Sequence, residues 1–214
     1  MRDRDPGPRM AAVILAGGLG RRLGGAVKAN IVVGGVRLLD RAVAALGDGV
    51  QPLLVASGHI EPDVLRVPPK AIAVPDLLPG SQGPVAGLVA AVDAVRHKGP
   101  PADFILSMAV DTPFFPANFA EMALLLIEGH HAVIARFDGQ EYPTNALWRF
   151  SAVAHLPEAL RAGTAPSSLR RLATQIGVAW LDWPMGPGGN PFANANTPYE
   201  LATLERCASV GMRN

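Results

Sequence analysis

Short apolar segments alternate with amphipathic ones over the first two thirds of the chain. Apolar runs of strand length occupy residues 11–16, 52–56, 71–74, 104–110 and 132–135. Segments with the apolar spacing of a helix cover residues 36–47, 85–95 and 116–127. Continuous apolar runs are typical of strands that are buried on both faces, so this alternation predicts a mostly parallel sheet with helices on both sides.

The last third of the chain is less regular. Strands are predicted over residues 142–148, returning beside the site, and 178–183, at an edge; helices are predicted over residues 151–161, 167–175 and 198–209. The last helix begins with Thr197 as N-cap, Pro198 in its first turn and Glu200 three residues after the cap. Together these elements predict an α/β fold, a Rossmann-like three-layer α/β/α sandwich. We expect one domain over residues 11–210, after a charged, disordered tail over residues 1–10.

A glycine-rich loop follows the first predicted strand. Five glycines lie within residues 17–25, together with two arginines, and Lys28 comes shortly after. Backbone N–H groups in such a loop bind anions, and the basic side chains add full charges, so the loop predicts a polyphosphate site. Leu23 stands where a dinucleotide fingerprint needs its third glycine, and Ala29 follows the lysine where a P-loop needs Ser or Thr. The spacing therefore fits neither motif.

Two aspartates follow predicted strands. Asp111 ends the run over residues 104–110, and Asp76 follows the run over residues 71–74. Ligands of such sheets bind at the carboxyl ends of the strands. Because carboxylate oxygens suit Mg²⁺, we expect Asp111 to be a magnesium ligand rather than a simple turn former. Asp76 either contacts the nucleotide or a nearby water, or is an ordinary loop residue.

Gly83 and Gly87 lie four residues apart at the start of a predicted helix. Helix N-termini attract anions, and small residues let a base or a pterin ring lie close to the backbone. A tight contact between the helix and the sheet is the alternative explanation, and both can hold together.

Composition excludes several classes of function. The 214 residues carry a net charge of +1, which implies no general binding to nucleic acid or membranes. No apolar run is long enough to span a membrane, and the charged start is not a secretory signal. The single cysteine, Cys207, fits a reducing compartment, so we expect a cytoplasmic protein. The five histidines show no metal-ligand spacing, and no Ser/His/Asp arrangement is visible.

Five motifs together resemble those of the molybdenum cofactor guanylyltransferases. They occur in the order of that family at residues 13–28, 83–88, 110–116, 142–147 and 194–201. The first motif alone is typical of all nucleotidyltransferases with a Rossmann-like fold, whereas G-P-V-A-G-L and N-A-N-T-P are more specific. The resemblance covers roughly residues 11–205. It implies a fold like that of the nucleotide-diphospho-sugar transferases and an enzyme that transfers GMP from GTP to molybdopterin, releasing pyrophosphate.

The resemblance also implies roles for individual residues. Lys28 and Arg22 would stabilise the leaving pyrophosphate, and Asp111 would bind Mg²⁺, the expected cofactor. GTP would be held by Leu15, Ala16, Gly17, Gly18, Lys28, Asp76 and Asp111. Molybdopterin would lie near Gly83, Gly87, Asn194 and Asn196.

The sequence departs from the family pattern at two places. Val27 stands where the family usually has Asp before the lysine, and the loop over residues 56–59 lacks an asparagine that helps to read the base. A nucleotidyltransferase that uses CTP or another acceptor phosphate therefore stays open, as does a non-catalytic nucleotide-binding protein. Transient contacts with proteins that deliver molybdopterin or mature molybdoenzymes are the expected protein interactions.

Overall fold

The structure, a computed structural model, describes residues 7–80, 83–186 and 188–209. A seven-stranded sheet forms the centre of this part of the chain. Its strands are β1 (Met10–Leu15), β2 (Leu53–Gly58), β3 (Ile72–Pro75), β4 (Phe104–Ala109), β5 (Ala132–Phe137), β6 (Gln140–Arg149) and β7 (Val178–Asp182). Their order is β7-β5-β6-β4-β1-β2-β3. Only β6 runs antiparallel to its neighbours in this sheet, so the prediction of a mostly parallel sheet is confirmed.

Helices connect the strands and cover both faces. In the described ranges they are α1 (Leu38–Leu46), α2 (Pro62–Leu65), α3 (Gly83–Lys98), α4 (Phe119–Leu126), α5 (Phe150–Val153), α6 (Leu156–Arg161), α7 (Leu169–Ile176) and α8 (Pro198–Ser209). Two 3₁₀ turns, Arg21–Leu23 and Lys28–Asn30, lie between β1 and α1. No helix in the described parts of the chain is long and apolar enough to cross a membrane.

The alternation of side chains along β1 divides the core into two layers. Ala12 and Ile14 face a layer that α1, α4 and α8 cover. Ala11 and Val13 face the opposite layer, which α3, α6 and α7 cover. All four side chains are fully buried. The sandwich of three layers follows, because a strand that is apolar at every position needs a cover on both faces.

The register of the central strands aligns their carboxyl ends. Leu15, the last residue of β1, pairs with Ala56 of β2 on one side and with Ala109 of β4 on the other. The chain stays tied to both neighbours beyond the strand, because Ala16 N–H donates to Ala56 and Val110 N–H donates to Leu15, at 2.9 and 3.3 Å. The loops that follow β1, β2 and β4 therefore emerge side by side.

Some boundaries differ from the prediction for local reasons. The helix predicted over residues 36–47 begins at Leu38, because Val36–Arg37 pairs with Val32–Val33 in a two-stranded ribbon. The helix predicted over residues 151–161 is two helices, α5 and α6. The second one has Pro157 in its first turn, a position that proline tolerates because the N–H it lacks has no partner there.

The N-terminal boundary also differs from the prediction. Arg9 donates its backbone N–H to Oδ2 of Asp103 at 2.9 Å, and its carbonyl accepts hydrogen bonds from Asp103 and Phe104. Met10 already belongs to β1. The tail predicted over residues 1–10 is therefore too long, because Arg9 and Met10 are held by β4 and its approach. Residues 1–6, for which we expect disorder, lie outside the described residues, as does residue 210 at the other end of the predicted domain.

Candidate active site

A cavity of about 480 Å³ opens at the carboxyl ends of β1, β2, β3 and β4 and at the start of α3. This volume is in the ordinary range for a site that binds a small molecule. The cavity lies where the loops after neighbouring parallel strands meet, as expected for an open α/β sheet. Most of the predicted site residues line it, namely Leu15, Gly17, Gly18, Lys28, Asp76, Gly83, Gly87, Asp111 and Asn194.

The floor of the cavity is a backbone contact between two glycines. A Cβ atom on Gly17 would lie 2.9 Å from both Cα and N of Gly58, which itself has a φ of +59°. Only residues without side chains fit at this crossing. Ala16, just before it, is fully buried and does not line the cavity. Ala16 therefore supports the loop from below.

Lys28 is held over the glycine loop by a short reversal of the chain. Leu19–Gly20 pairs with Ala26–Val27 in a small antiparallel ribbon, and Lys28 N–H donates to Gly18 at 3.3 Å. The Lys28 ammonium donates to Oδ2 of Asp111 at 2.6 Å and to Oδ1 of Asn196. The reversal therefore brings the lysine to two polar side chains from distant parts of the sequence.

The same reversal leaves Arg22 outside the site. Arg22 lies in the 3₁₀ turn at the tip of the ribbon, where its side chain is exposed and does not line the cavity. The turn ends at Gly24, whose φ of +69° leads the chain back towards Lys28. The structure thus brings Lys28 and Asp111 together and does not bring Arg22 to them.

The segment that carries Asn194 and Asn196 is fixed on two sides. Ala195 N–H donates to the carbonyl of Asp111 at 3.2 Å, which ties this segment to the end of β4. Asn196 N–H donates to Oε2 of Glu200 at 3.0 Å, and Glu200 N–H donates to Oγ1 of Thr197 at 3.2 Å. The N-cap predicted at Thr197 is confirmed. Asn194 lines the cavity. Asn196 does not line it, but its Oδ1 accepts a hydrogen bond from the Lys28 ammonium.

Asp76 and His59 form a pair at the other end of the cavity. The Asp76 side chain is only 8% exposed, and its Oδ2 lies 4.0 Å from Nε2 of the largely exposed His59. Burial raises the pKa of the Asp76 carboxyl, and the charge of His59 opposes this shift. Sequence reasoning missed His59 as a site residue, although its place directly after β2 could have indicated it.

The first turn of α3 contacts the sheet closely. A Cβ atom on Gly87 would lie 2.8 Å from Cδ2 of Leu15 and 3.0 Å from Cβ of Ala56. Gly83, with a φ of +81°, begins the helix at the cavity and is exposed. The tight helix–sheet contact that we considered is therefore real at Gly87, and both glycines also line the cavity.

Comparison with known proteins identifies the family to which this chain belongs. Residues 12–176 match the MobA-like NTP transferase domain. The protein named molybdenum cofactor guanylyltransferase of Bradyrhizobium sp. (strain ORS 278) is 34% identical over 208 residues, which cover 94% of each chain. The protein of the same name from Sinorhizobium fredii is 34% identical, covering 92% of this chain and 91% of its own. The chain belongs to the MobA-like NTP transferase family. It is therefore a nucleotidyltransferase.

Solved structures support the fold of this nucleotidyltransferase. Molybdopterin-guanine dinucleotide biosynthesis protein A from Archaeoglobus fulgidus superposes with a TM-score of 0.69 at 23% identity, covering 94% of this chain and 100% of its own. The 2-C-methyl-D-erythritol 4-phosphate cytidylyltransferase from Thermus thermophilus superposes with a TM-score of 0.62 at 20% identity, covering 94% and 99%. The predicted Rossmann-like nucleotidyltransferase fold and the resemblance to molybdenum cofactor guanylyltransferases are confirmed.

The oxygen-bearing residues Asp111 and Asn194, which line the same cavity, fit a magnesium ion that arrives with a nucleotide. In the described ranges no three His, Cys, Asp or Glu side chains cluster as a metal site. Mg²⁺ is commonly held by one or two carboxylates and completes its shell with phosphate oxygens and water. The Asp111 carboxylate already faces a cation, the Lys28 ammonium, and Oδ1 of Asn194 is buried without a hydrogen-bond partner among the described residues. This MobA-like site therefore offers one carboxylate and one free amide oxygen.

Proposed function

We propose that this enzyme transfers GMP from GTP to molybdopterin and releases pyrophosphate. The observation that carries the proposal is the meeting of Lys28 and Asp111 in a cavity at the ends of β1 and β4. A cation and a carboxylate at 2.6 Å, beside a glycine loop, provide both a phosphate-binding group and a metal ligand. The family and the names of its relatives supply the substrate class.

The proposed reaction is an in-line displacement at phosphorus. A phosphate oxygen of molybdopterin attacks the α-phosphorus of GTP, the new O–P bond forms, and the bond to the bridging oxygen breaks so that pyrophosphate leaves. The attacking phosphate is already ionised, so no general base is needed. The protein mainly has to position the two phosphates and neutralise the developing charge.

The glycine loop provides hydrogen-bond donors for the phosphates. No described residue accepts a hydrogen bond from the backbone N–H of Gly17 or Gly18. Both residues line the cavity, so both N–H groups are available to phosphate oxygens. Lys28 adds a full positive charge at the same place. We propose that these three residues hold the phosphates of GTP, while Leu15 lies against the nucleotide and Ala16 supports the loop.

The contact between Lys28 and Asp111 implies an exchange of partners when substrate binds. Asp111 would hold Mg²⁺, which supplies positive charge to the phosphate oxygens when it is bound. Lys28 would then turn its ammonium from Asp111 to the phosphates and stabilise the leaving pyrophosphate. In the structure the ammonium also donates to Oδ1 of Asn196, which we propose guides this movement. Arg22, which the sequence predicts to share this role, is exposed and does not line the cavity.

The hydrogen-bonding capacity of the Asp76 carboxylate matches guanine better than cytosine. Its buried carboxylate accepts hydrogen bonds and donates none when ionised. Guanine presents two adjacent donors, N1–H and N2–H₂, which match one carboxylate. The Watson–Crick edge of cytosine presents a donor beside an acceptor, and that acceptor would face the carboxylate unpaired. A buried polar group left unpaired discriminates strongly between ligands. We propose that Asp76 contacts the base, and that CTP is the weaker nucleotide.

Molybdopterin is assigned to the part of the cavity near Asn194, Gly83 and Gly87. Gly83 has open space beside it, and Gly87 and Asn194 line the same cavity. Proteins that deliver molybdopterin or receive the product would contact the mouth of this cavity transiently. The free thiol of Cys207 is compatible with the cytoplasmic location that we propose for the enzyme.

The test is a calorimetric titration of GTP, CTP and ATP with Mg²⁺ on the wild type and on Asp111→Asn. We expect GTP to bind most tightly and the variant to lose the Mg²⁺-dependent part of the affinity. Pyrophosphate release from GTP should then require molybdopterin and should be abolished in the variant. Preference for CTP would contradict the guanylyl assignment, and full activity of the variant would contradict the role of Asp111.

A further inference from the structure

The single antiparallel strand of the described sheet is irregular where it passes the active site. In β6, Tyr142 pairs with Ala135 of β5, and the next paired residue, Ala146, pairs with the neighbouring Ile134. Four positions along β6 therefore correspond to one position along β5. Residues 143–145 therefore have no partners in β5. Pairing with β4 begins at Ala146, opposite Ser107. No residue of β6 is therefore paired with Met108 or Ala109, the last two residues of β4.

The side chain of Asn145 takes the place of the missing backbone partner. Its Oδ1 accepts the backbone N–H of Ala109 at 3.0 Å. Asn145 is fully buried, and Ala109 is 6% exposed. A buried N–H without an acceptor is costly, so this hydrogen bond is needed where the strand pairing stops.

Ala109 is the residue from which the Asp111 turn begins. On one side it pairs with Leu15 of β1. Its carbonyl accepts the N–H of Thr112 at 3.3 Å, which closes a turn that contains Asp111. Asn145 holds the other side of Ala109, so both neighbouring strands fix the origin of this turn.

Stability alone does not explain an asparagine at this position. Nδ2 of Asn145 is buried and has no hydrogen-bond partner among the described residues. An unpaired buried donor costs about 1–3 kcal/mol, which offsets the one hydrogen bond that Oδ1 makes. Thr144, the residue before it, lines the cavity together with Ala109 and Asp111. An asparagine here thus has an energetic cost of its own, and it lies directly beside the site.

We infer that Asn145 is a positioning residue for Asp111. By holding Ala109 N–H where β6 stops pairing with β4, it fixes the turn that presents the Asp111 carboxylate to Lys28 and to the metal–nucleotide complex. Asn145 touches no substrate; it acts through the backbone of Ala109. The inference rests on the proposed function of Asp111 as a metal ligand.

The test measures metal binding directly. Free Mn²⁺ is followed by electron paramagnetic resonance as it is titrated into the protein with saturating GTP. In Asn145→Leu, which keeps the branching of the side chain and removes the acceptor, we expect the dissociation constant for Mn²⁺ to rise about tenfold, as is usual when a group that orients a metal ligand is lost. Asn145→Asp keeps an oxygen at the same place and should restore binding. If Asn145→Leu does not fold, Asn145→Ala is measured in the same way.

Trp148→Phe is the matched control. It removes another buried hydrogen bond between β6 and β4, from Trp148 Nε1–H to Oγ of Ser107 at 2.9 Å, away from the Asp111 turn. It should lose stability without weakening Mn²⁺ binding. Wild-type affinity in the leucine or alanine variant, or an equal loss in the Trp148 variant, would overturn the inference. Asp111→Asn separates the two proposals: if it binds Mn²⁺ normally, the role of Asp111 fails and the inference with it. If Asp111→Asn alone is weakened, only the positioning role fails.

Discussion

The Lys28 ammonium lies 2.6 Å from Oδ2 of Asp111, although 83 residues separate the two in the sequence. Their side chains are only 17% and 10% exposed, so water screens the pair weakly. The lysine thus compensates the charge of the partly buried carboxylate. The ion pair therefore links the glycine loop after β1 to the end of β4.

The first prediction concerns the removal of this cation. Lys28→Met should lower the free energy of unfolding by about 1–3 kcal/mol, because it leaves the Asp111 carboxylate buried without its donor. Turnover should fall about 10²-fold, as for the loss of one strong charge-stabilising donor. Urea unfolding and a pyrophosphate-release assay measure the two effects.

Lys70→Met is the matched control for Lys28. Lys70 pairs with Asp48 at 3.1 Å, but the two side chains are 48% and 95% exposed. Removing an exposed partner usually changes stability by less than about 0.5 kcal/mol. Equal effects of the two substitutions on stability, or a wild-type rate for Lys28→Met, would contradict our account of the pair.

The second prediction tests the backbone contact under the cavity. Gly17→Ala should destabilise the protein by about 1–3 kcal/mol, the usual cost of overpacking, because its Cβ would lie 2.9 Å from the backbone of Gly58. Gly18→Ala is the control, since its Cβ would meet only Cδ of Lys28, at an ordinary 3.7 Å. In thermal unfolding, the melting temperature of Gly17→Ala should be clearly lower than that of Gly18→Ala. Similar melting temperatures would show that the crossing has room for a side chain.

The third prediction concerns the dependence of stability on pH through Asp76. Burial raises the pKa of this carboxyl above its unfolded value, so the folded state binds more protons in the window between the two values. The carboxyl of Asp76 therefore contributes its full stabilisation at pH values below its pKa in the unfolded state. This contribution is lost as the pH rises through its pKa in the folded state. Asp76→Asn, which carries no charge, should be more stable than the wild type at neutral pH.

The advantage of Asp76→Asn should shrink as the pH falls through the raised pKa, because the wild-type carboxyl becomes neutral. Denaturant unfolding of both proteins at a series of pH values measures this difference. The same variant should bind GTP more weakly, since Asn offers one acceptor atom in place of two. A difference in stability that does not change with pH would show that Asp76 is not buried as a charge.

The fourth prediction concerns the segment that holds Asn196. Thr197→Ala should cost about 1 kcal/mol of stability, because Oγ1 of Thr197 caps α8 by accepting Glu200 N–H. Thr197→Ser keeps this acceptor and should stay close to the wild type. Since Glu200 also accepts Asn196 N–H, loss of the cap should loosen the contact between Asn196 and Lys28 and raise KM for GTP in the alanine variant alone. Equal KM values in both variants would show that the cap at Thr197 does not influence GTP binding.

Much of the fold could be predicted because its determinants are local. The apolar runs that become β1 and β4 are buried on both faces, and the cap at Thr197 sets the start of α8 within a single turn. The glycine loop and Asp111 could be assigned to one edge of the sheet, because parallel strands bring their carboxyl ends together.

Other parts of the site depend on the path of the chain. The place of Arg22 outside the cavity follows from the ribbon that reverses the loop before Lys28. His59 reaches Asp76 because β2 and β3 are neighbours in the sheet, although neither residue lies in a motif that predicts the pairing. Asn145 meets Ala109 because β6 runs antiparallel and shifts its register beside β4.

The sequence by itself determined the strands, most of the helices and the kind of chemistry at the carboxyl edge of the sheet. These features depend on side-chain periodicity, glycine and capping within a few residues of one another. Only the tertiary structure decided that the Lys28 ammonium contacts Asp111 and Asn196, which lie 83 and 168 residues away. Such contacts depend on strand order, register and the reversal of loops, and these are set by packing of the whole chain rather than by any local pattern.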